Sequence, residues 1–428
     1  MKLLSVLINI SKIAHKIYVY EIRFYWIMPF KKDEKINLPH WPIYDDEEIN
    51  ILKDVIKSGK WWCGSPNDQQ GKHVWAFQQE FAKFQETKHC IAVCNGTVAI
   101  EAVLMSLDIG MGDEVIVSDY TFVASASAVI ATNAIPIFCD INPESLVMDV
   151  DKIETLITNR TKAIIAVHLG GNPVEMDKLL DIAKKYELKI VEDCSHAHGS
   201  RFKGKKVGNW GDAGTFSFQA SKIITAGEGG AIICNSDELA DKIYSYIDCG
   251  RKKGRYFYDH YSYGTNYRMS EFQAAILRIQ LKRFLSQHKL RNENARYLMD
   301  KLNQIDGIQV MKLTSGTDEC GYYIYPIVFD PKKFNGITKT EFYSKLNEYG
   351  IPTDDCYPAL HTLDCFKNIN LKKGIDYSNA NWGGEKSNDK NFPIVSDIYS
   401  RSIEFPHEIF LAPKRKLDLI VDFILSLK

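Results

Sequence analysis

The chain has 428 residues, 45% hydrophobic and 25% charged, with 53 Lys and Arg against 54 Asp and Glu. That is the composition of an ordinary globular protein with enough material for two domains. A net charge of −1 supplies no field to draw in nucleic acid, and no basic stripe interleaved with aromatics compensates, so nucleic-acid binding is not expected. The ten cysteines, scattered from Cys63 to Cys365, make no disulfide framework for a chain this long and suggest a reducing, cytoplasmic setting.

The chain opens with an apolar run, Leu3 to Ile10, but no small-residue cleavage site follows it, and Lys12, Lys16, Glu21 and Arg23 interrupt any span of membrane length. Neither a signal peptide nor a membrane anchor is expected, and residues 1–27 read as an upstream extension or a misassigned beginning ahead of Met28. Asp45 to Gly59 carries Ile49, Leu52, Val55 and Ile56 at helical spacing, and Val74 to Gln85 repeats the pattern with Val74, Phe77, Phe81 and Phe84. Between them Trp61 and Trp62 sit on a loop with Gly64 and Pro66. Packing is the expected role there, with a substrate or dimer contact as the alternative.

From His89 the pattern becomes regular. Strands are expected at His89 to Val93, Glu114 to Val117, Ile135 to Cys139, Lys162 to Val167 and Lys189 to Val191, alternating with helices. Such alternation implies an α/β fold, a mainly parallel sheet with helices on both faces. No G-x-G-x-x-G opens any of the helices, which argues against a dinucleotide fold. The turn Asn95-Gly96-Thr97 instead offers a phosphate seat, because backbone N–H groups and the positive end of a helix meet where Gly96 has no side chain to block approach. Ordinary capping is the plain alternative.

The stretch from Lys189 to Ala231 carries the chemistry. Asp193 ends a buried strand, where open α/β sheets bind ligands. A second β-prone run, Thr215 to Phe218, leads through Gln219-Ala220-Ser221 to Lys222 and then to Gly227-Glu228-Gly229-Gly230. A lysine amine can form a Schiff base with an aldehyde cofactor and afterwards move a proton between two carbons. A carboxylate beside a pyridine nitrogen keeps that nitrogen protonated. Alone, Lys222 would read as one more surface lysine and Asp193 as a turn residue. Cys194, His196 and His198 could bind zinc, but no fourth ligand lies close, so no metal is expected.

Taken together, Glu192-Asp193 to Gly199, Ser217-Phe218 to Lys222, and Gly227 to Gly230 resemble the DegT/StrS-type sugar aminotransferases, a branch of the fold type I pyridoxal phosphate enzymes. The variant spelled here is similar to scyllo-inosose aminotransferases and 3-amino-5-hydroxybenzoate synthases. The resemblance runs over roughly residues 36 to 428. It implies an aspartate aminotransferase-like fold, with a large cofactor-binding domain and N-terminal arm over 28–289 and a smaller α+β domain over 290–428.

It also implies pyridoxal 5'-phosphate as cofactor, Lys222 and Asp193 as catalytic residues, and Gly96, Thr97, Phe122, His196 and Ser217 as further cofactor contacts. Asn266 would cross a homodimer interface to the neighbouring subunit's cofactor phosphate, making shared active sites. Trp62, Arg268, Tyr357 and His361 are the substrate candidates, with structural packing as the duller alternative for each. The implied reaction moves an amino group from glutamine or glutamate to a keto-cyclitol or keto-sugar. Kept beside it are a nucleotide-linked keto-sugar as acceptor, a sugar dehydratase, which Lys222 opposes because those relatives carry histidine there, and a non-catalytic cofactor-binding regulator.

Overall fold

The computed structural model describes residues 38–63, 71–367, 372–377, 380–381 and 390–428. Helix α1 (Asp46–Ser58) starts where Asp45 accepts the Glu47 N–H at 2.8 Å and Glu48 accepts the Asp45 N–H at 3.0 Å, and it stops at Gly59 with φ of 66°. Helix α2 (His73–Gln85) has no cap of its own. Glu271, at the start of the long helix α7 (Glu271–Leu302), supplies one by accepting the N–H groups of Lys72, His73 and Val74 at 3.1, 2.8 and 2.9 Å. The acidic side chain at an N-terminus therefore also fastens α2 to α7.

The central sheet has seven strands: β1 (His89–Val93), β2 (Glu114–Ser118), β3 (Ile135–Cys139), β4 (Thr161–Val167), β5 (Lys189–Asp193), β8 (Ala213–Ser217) and β9 (Gly230–Cys234). Their order is β1-β9-β8-β5-β4-β2-β3, parallel from β8 to β3, while β9 runs antiparallel to both β8 and β1. Strands such as Glu114–Ser118 are buried along their whole length because helices cover both sides. Alternation on β8 shows the two sides. Phe216 packs on Phe81 of α2 with ring centroids 5.1 Å apart, whereas Ser217 lies against Gly96 at the start of α3 (Gly96–Ser106). The expected strands all form, and the expected parallel sheet gains one reversed member.

In chain order among the strands of the central sheet and just after them come α4 (Ala124–Ala131), α5 (Met176–Tyr186) and α6 (Asp237–Ile247). The C-terminal part builds a second sheet, β10 (Ile308–Val310), β12 (Ile324–Phe329), β14 (Ser402–Pro406) and β13 (Asp354–Asp355), all antiparallel, together with α8 (Lys339–Tyr349), α9 (Asp364–Lys367), α10 (Pro393–Ser400) and α11 (Lys414–Ser426). A small sheet joins β11 (Thr317–Glu319) to the hairpin β6 (Arg201–Phe202) and β7 (Lys205–Lys206). Helix α7 runs unbroken through position 290. Strand β10 ends at Val310, because the Lys312 N–H turns away to the Glu144 carbonyl at 2.9 Å.

Trp61 and Trp62 are about half exposed, at 51% and 47%, so the expectation that they pack away is corrected: the loop holds them outside the core, with Trp61 resting on Phe272 at 5.7 Å. Residues 1–27 fall outside the described residues, as does most of the segment from Lys373 to Asn391. No helix of the described residues is long and apolar enough to cross a membrane.

Candidate active site

Parallel strands share a rim at their carboxyl ends, and β5, β8 and, through the doubly reversed pairing, β1 all end on the same one. Asp193 and Ser217 lie there on one face of the sheet, as their alignment demands, since Asp193 pairs in register with Thr215 and residues two apart share a face. The turn after β1 meets them from above. Asn95 caps α3 by accepting the Val98 N–H at 3.0 Å, which leaves the first N–H groups of the helix, at Gly96 and Thr97, without helical partners. A Cβ on Gly96 would come within 2.8 Å of Ser217 Cβ, and one on Gly230 within 2.4 Å of the Asn95 carbonyl oxygen. Glycine at both places is what lets the backbone seat approach β8 and β9.

Adjacent acids at the end of β5 have opposite fates. Glu192 is fully enclosed and satisfied: it accepts the N–H groups of Gly208, Trp210 and Gly211 at 2.7, 2.6 and 2.7 Å and the His168 ring at 3.0 Å. His168 Nδ1 accepts the Val174 N–H at 3.1 Å, so Nε2 carries the proton donated to Glu192. Cys194 joins this pair in a cluster with metal-ligand spacing. Its His168 lone pair is nevertheless already used, and the Cys194-His196-His198 grouping considered from the sequence is not the one the fold assembles. Asp193, on the other face, accepts only Ser125 Oγ at 2.7 Å and the Ser195 N–H at 3.1 Å, so lone pairs remain on both oxygens.

Lys222 stands in the loop that leaves β8 and returns as β9. The loop is closed on itself by Phe218 N–H to Gly229 O at 2.8 Å and Ala226 N–H to Phe218 O at 3.1 Å. Its amine is buried and forms no ion pair among the described residues; the Tyr323 ring lies 3.9 Å from Nζ. Burial pushes the ammonium pKa down to about 7, against a smaller upward pull from Asp193 and Glu404. Tyr323 Oη and Ser221 Oγ meet at 2.7 Å, and the Tyr323 ring lies 4.4 Å from His196. His196 Nδ1 accepts the Gly170 N–H at 3.3 Å and its Nε2 faces Tyr357 Oη at 3.4 Å. Burial, with Lys222 nearby, holds the His196 pKa well below the ordinary value, so the ring is neutral. Phe122, 52% exposed, stands 6.0 Å from the Tyr357 ring.

Lys222, His196, Tyr357 and Phe122 thus form one continuous chain of contacts through Tyr323, beside the rim that carries Asp193, Ser217, Gly96 and Thr97. His361 does not join them: its Nδ1 and its N–H hold the two Asp119 oxygens at 2.6 and 2.9 Å, and its ring stacks on Phe392 at 4.6 Å. It braces the Tyr357 loop. Trp62, Arg268 and Asn266 make a separate cluster around Asp248, where Arg268 donates to Asp248, lies 5.5 Å from the Trp62 ring, and Asn266 forms an exposed backbone bridge to Asp248. Within this chain no described contact links that cluster to Lys222.

Sequence reasoning missed four side chains. Tyr323, Ser125 and Trp41, whose indole N–H donates to the Ala220 carbonyl at 3.2 Å, carry no local signal. Neither does Glu404, a buried acid on β14 whose Oε2 has no hydrogen-bond partner and whose pKa burial raises well above the ordinary value, with Lys222 among the charges around it.

The DegT/DnrJ/EryC1/StrS aminotransferase family model matches residues 42–398. An L-glutamine:2-deoxy-scyllo-inosose aminotransferase from Streptoalloteichus tenebrarius is 36% identical over 334 residues, 76% of this chain and 78% of that protein. GDP-perosamine synthase from Vibrio cholerae is 35% identical over 340 residues, 79% of this chain and 89% of that protein. The crystal structure of 3-amino-5-hydroxybenzoic acid synthase superposes with a TM-score of 0.82 at 30% identity, covering 91% of this chain and 98% of that one. The chain belongs to the DegT/DnrJ/EryC1/StrS aminotransferase family, enzymes that use pyridoxal phosphate to move amino groups.

Proposed function

We propose that Lys222 is the reacting amine of a site that takes an amino group from glutamine or glutamate and delivers it to a polyhydroxylated ring ketone. The observation that carries this reading is a lysine buried without a carboxylate partner among the described residues, its pKa pushed down to about 7, beside a rim of residues that suit an anionic aromatic cofactor. The residues fit pyridoxal phosphate: the glycine-lined turn at Gly96 and Thr97 with Ser217 would hold a phosphate, and Asp193 retains accepting capacity toward a ring N–H. That cofactor supplies an aldehyde and an electron-withdrawing ring.

Near neutral pH a fraction of Lys222 is uncharged, so Nζ can act as nucleophile and then take up and return a proton. Asp193, held by Ser125 and Ser195, would keep a proton at the ring nitrogen. His196 and Phe122 would contact the ring, and Tyr357 would line the acceptor side. His361 acts only through the loop it braces. The S. tenebrarius relative supports a keto-cyclitol acceptor, and the V. cholerae synthase supports a nucleotide-linked keto-sugar as second reading. Arg251, Lys252, Lys253 and Arg255 form a basic loop that could meet a diphosphate, but Arg251 is already committed to Asp248 at 3.0 Å and to the Phe257 ring at 4.1 Å.

We also place the enzyme in the cytoplasm as a homodimer. Ten free cysteines support the first. The exposure of Asn266, Trp61, Trp62 and Trp75 supports a second copy, Asn266 then reaching that copy's phosphate. Borohydride reduction of the loaded enzyme should attach the cofactor to a peptide containing Lys222; a label on another lysine would sink the assignment. Mixed Lys222→Ala and Asn266→Ala subunits should regain activity that neither shows alone, and verified exchange without recovery would refute shared sites.

A further inference from the structure

Two side chains from outside the large-domain sheet grip the backbone just before Lys222. Trp41 Nε1 donates to the Ala220 carbonyl at 3.2 Å, and His407 Nε2 lies 3.1 Å from the Ser221 carbonyl. A carbonyl can only accept, so His407 must carry its proton on Nε2. The other ring nitrogen gives the same answer independently. Nδ1 stands 3.4 Å from Arg291 Nη2, which can only donate, so Nδ1 must be the bare, accepting nitrogen.

Arg291 itself is fully enclosed on α7, with Nη1 donating to Gln287 Oε1 at 3.2 Å and Nε without a partner. A guanidinium taken out of water with one N–H left unmet is a costly thing for a fold to keep, and packing alone would be served by a methionine. Glu408 is the nearby acid, with Oε2 3.6 Å from His407 Nε2, farther than the Ser221 oxygen. The edge of the Trp41 ring meets His407 at 4.4 Å and 82°, so the imidazole is held from the side as well.

We propose that Arg291 and His407 are positioning residues: the buried guanidinium locks His407 in the one tautomer that can hold the Ser221 carbonyl, and this fixes the backbone from which the Lys222 amine projects. The inference rests on Lys222 being the reacting amine, as argued above. Through His407, which directly follows β14, two hydrogen bonds in series join α7 to the lysine loop.

Hydrogen exchange followed residue by residue on the full chain tests it without relying on turnover. His407→Leu and Arg291→Met are each expected to speed exchange of the Lys222 and Ala226 amides roughly tenfold, the loss of about one hydrogen bond, while the amides of β4 and β5 keep their rates. His407→Gln keeps a donor and should restore most of the protection. In the loaded enzyme the same losses should lower kcat and leave the KM for the ketone nearly unchanged, because orientation of the amine rather than acceptor binding is disturbed.

Unchanged loop exchange in His407→Leu would overturn the proposal, as would an increase spread evenly over the molecule, which marks loss of global stability. Should Arg291→Met fail to fold, the His407 pair decides alone. A borohydride label on a different lysine would remove the functional reading while leaving the exchange result standing, so the two failures are distinguishable.

Discussion

Charges around Lys222 and charges around Asp248 are treated in opposite ways. At Asp248, Arg268 and Arg251 share one carboxylate, and Trp62 lies over the guanidinium. Every charge there has an answer. At Lys222 the amine, the Glu404 carboxyl and the Arg291 guanidinium are all buried; among the described residues the amine has no ion pair, and Glu404 Oε2 and Arg291 Nε have no hydrogen-bond partner. Folding gains nothing from leaving such groups unmatched, so the mismatch marks where the molecule holds itself ready for something else. Arg268 resembled a substrate residue in sequence and is a tethered one in structure.

The strongest way to break this comparison is to remove the amine. In the unfolded chain Lys222 keeps its proton up to about 10.5, and in the folded one only up to about 7. Between those values the unfolded state binds more protons, so stability rises with pH across that window. Lys222→Met should therefore stabilise the cofactor-free protein by up to about 5 kcal/mol below pH 7, a gain that fades by pH 10.5. Urea titrations at pH 6, 8 and 10 would measure it; a destabilised variant at pH 6 would show the amine to be an ordinary paired lysine.

A matched acid should behave in the opposite sense. Glu192→Gln takes a charged acceptor from three short backbone hydrogen bonds and is expected to cost roughly 3 kcal/mol, read as a drop in unfolding midpoint.

Strands and helices around the central sheet were legible because each buried parallel strand is a short apolar run with its own turn signals, as at Glu114–Ser118. Lys222, Asp193 and Ser217 stood out as candidates because the resemblance writes them at fixed spacing, Asp193 and Ser217 at the ends of adjacent strands and Lys222 in the loop after β8. What could not be read was anything supplied across the chain. Tyr323 lies 101 residues from Lys222, and its meeting with Ser221 depends on how the small domain docks. His361 was a substrate candidate because it follows Tyr357 in one loop; that its ring turns inward to Asp119 is a packing outcome without local signature.

Smaller effects sharpen the contrast. Burial raises the folded-state pKa of Glu404 well above its ordinary 4.5, so the native state holds the extra proton and stability declines as pH climbs past 4.5. Glu404→Gln should relieve this, a gain on the order of 1–2 kcal/mol at pH 8 and close to none at pH 4, visible in paired thermal melts. Arg268→Ala should cost only about 1 kcal/mol, since Asp248 keeps Arg251, and should change the KM for donor and acceptor less than threefold; a large rise in either would return Arg268 to the substrate site.

The strand order also sets a timetable. β1 touches the sheet only through β9, so residues 89–93 have no strand to pair with until residue 234 has left the ribosome. At about 5–20 residues per second that is a wait of roughly seven to thirty seconds. During it, the turn carrying Asn95 and Gly96 hangs from an unpaired strand whose edge is free to find another. The last strand to be inserted is thus the one that seats the first, and a chain cut anywhere before Gly230 leaves that edge open for good.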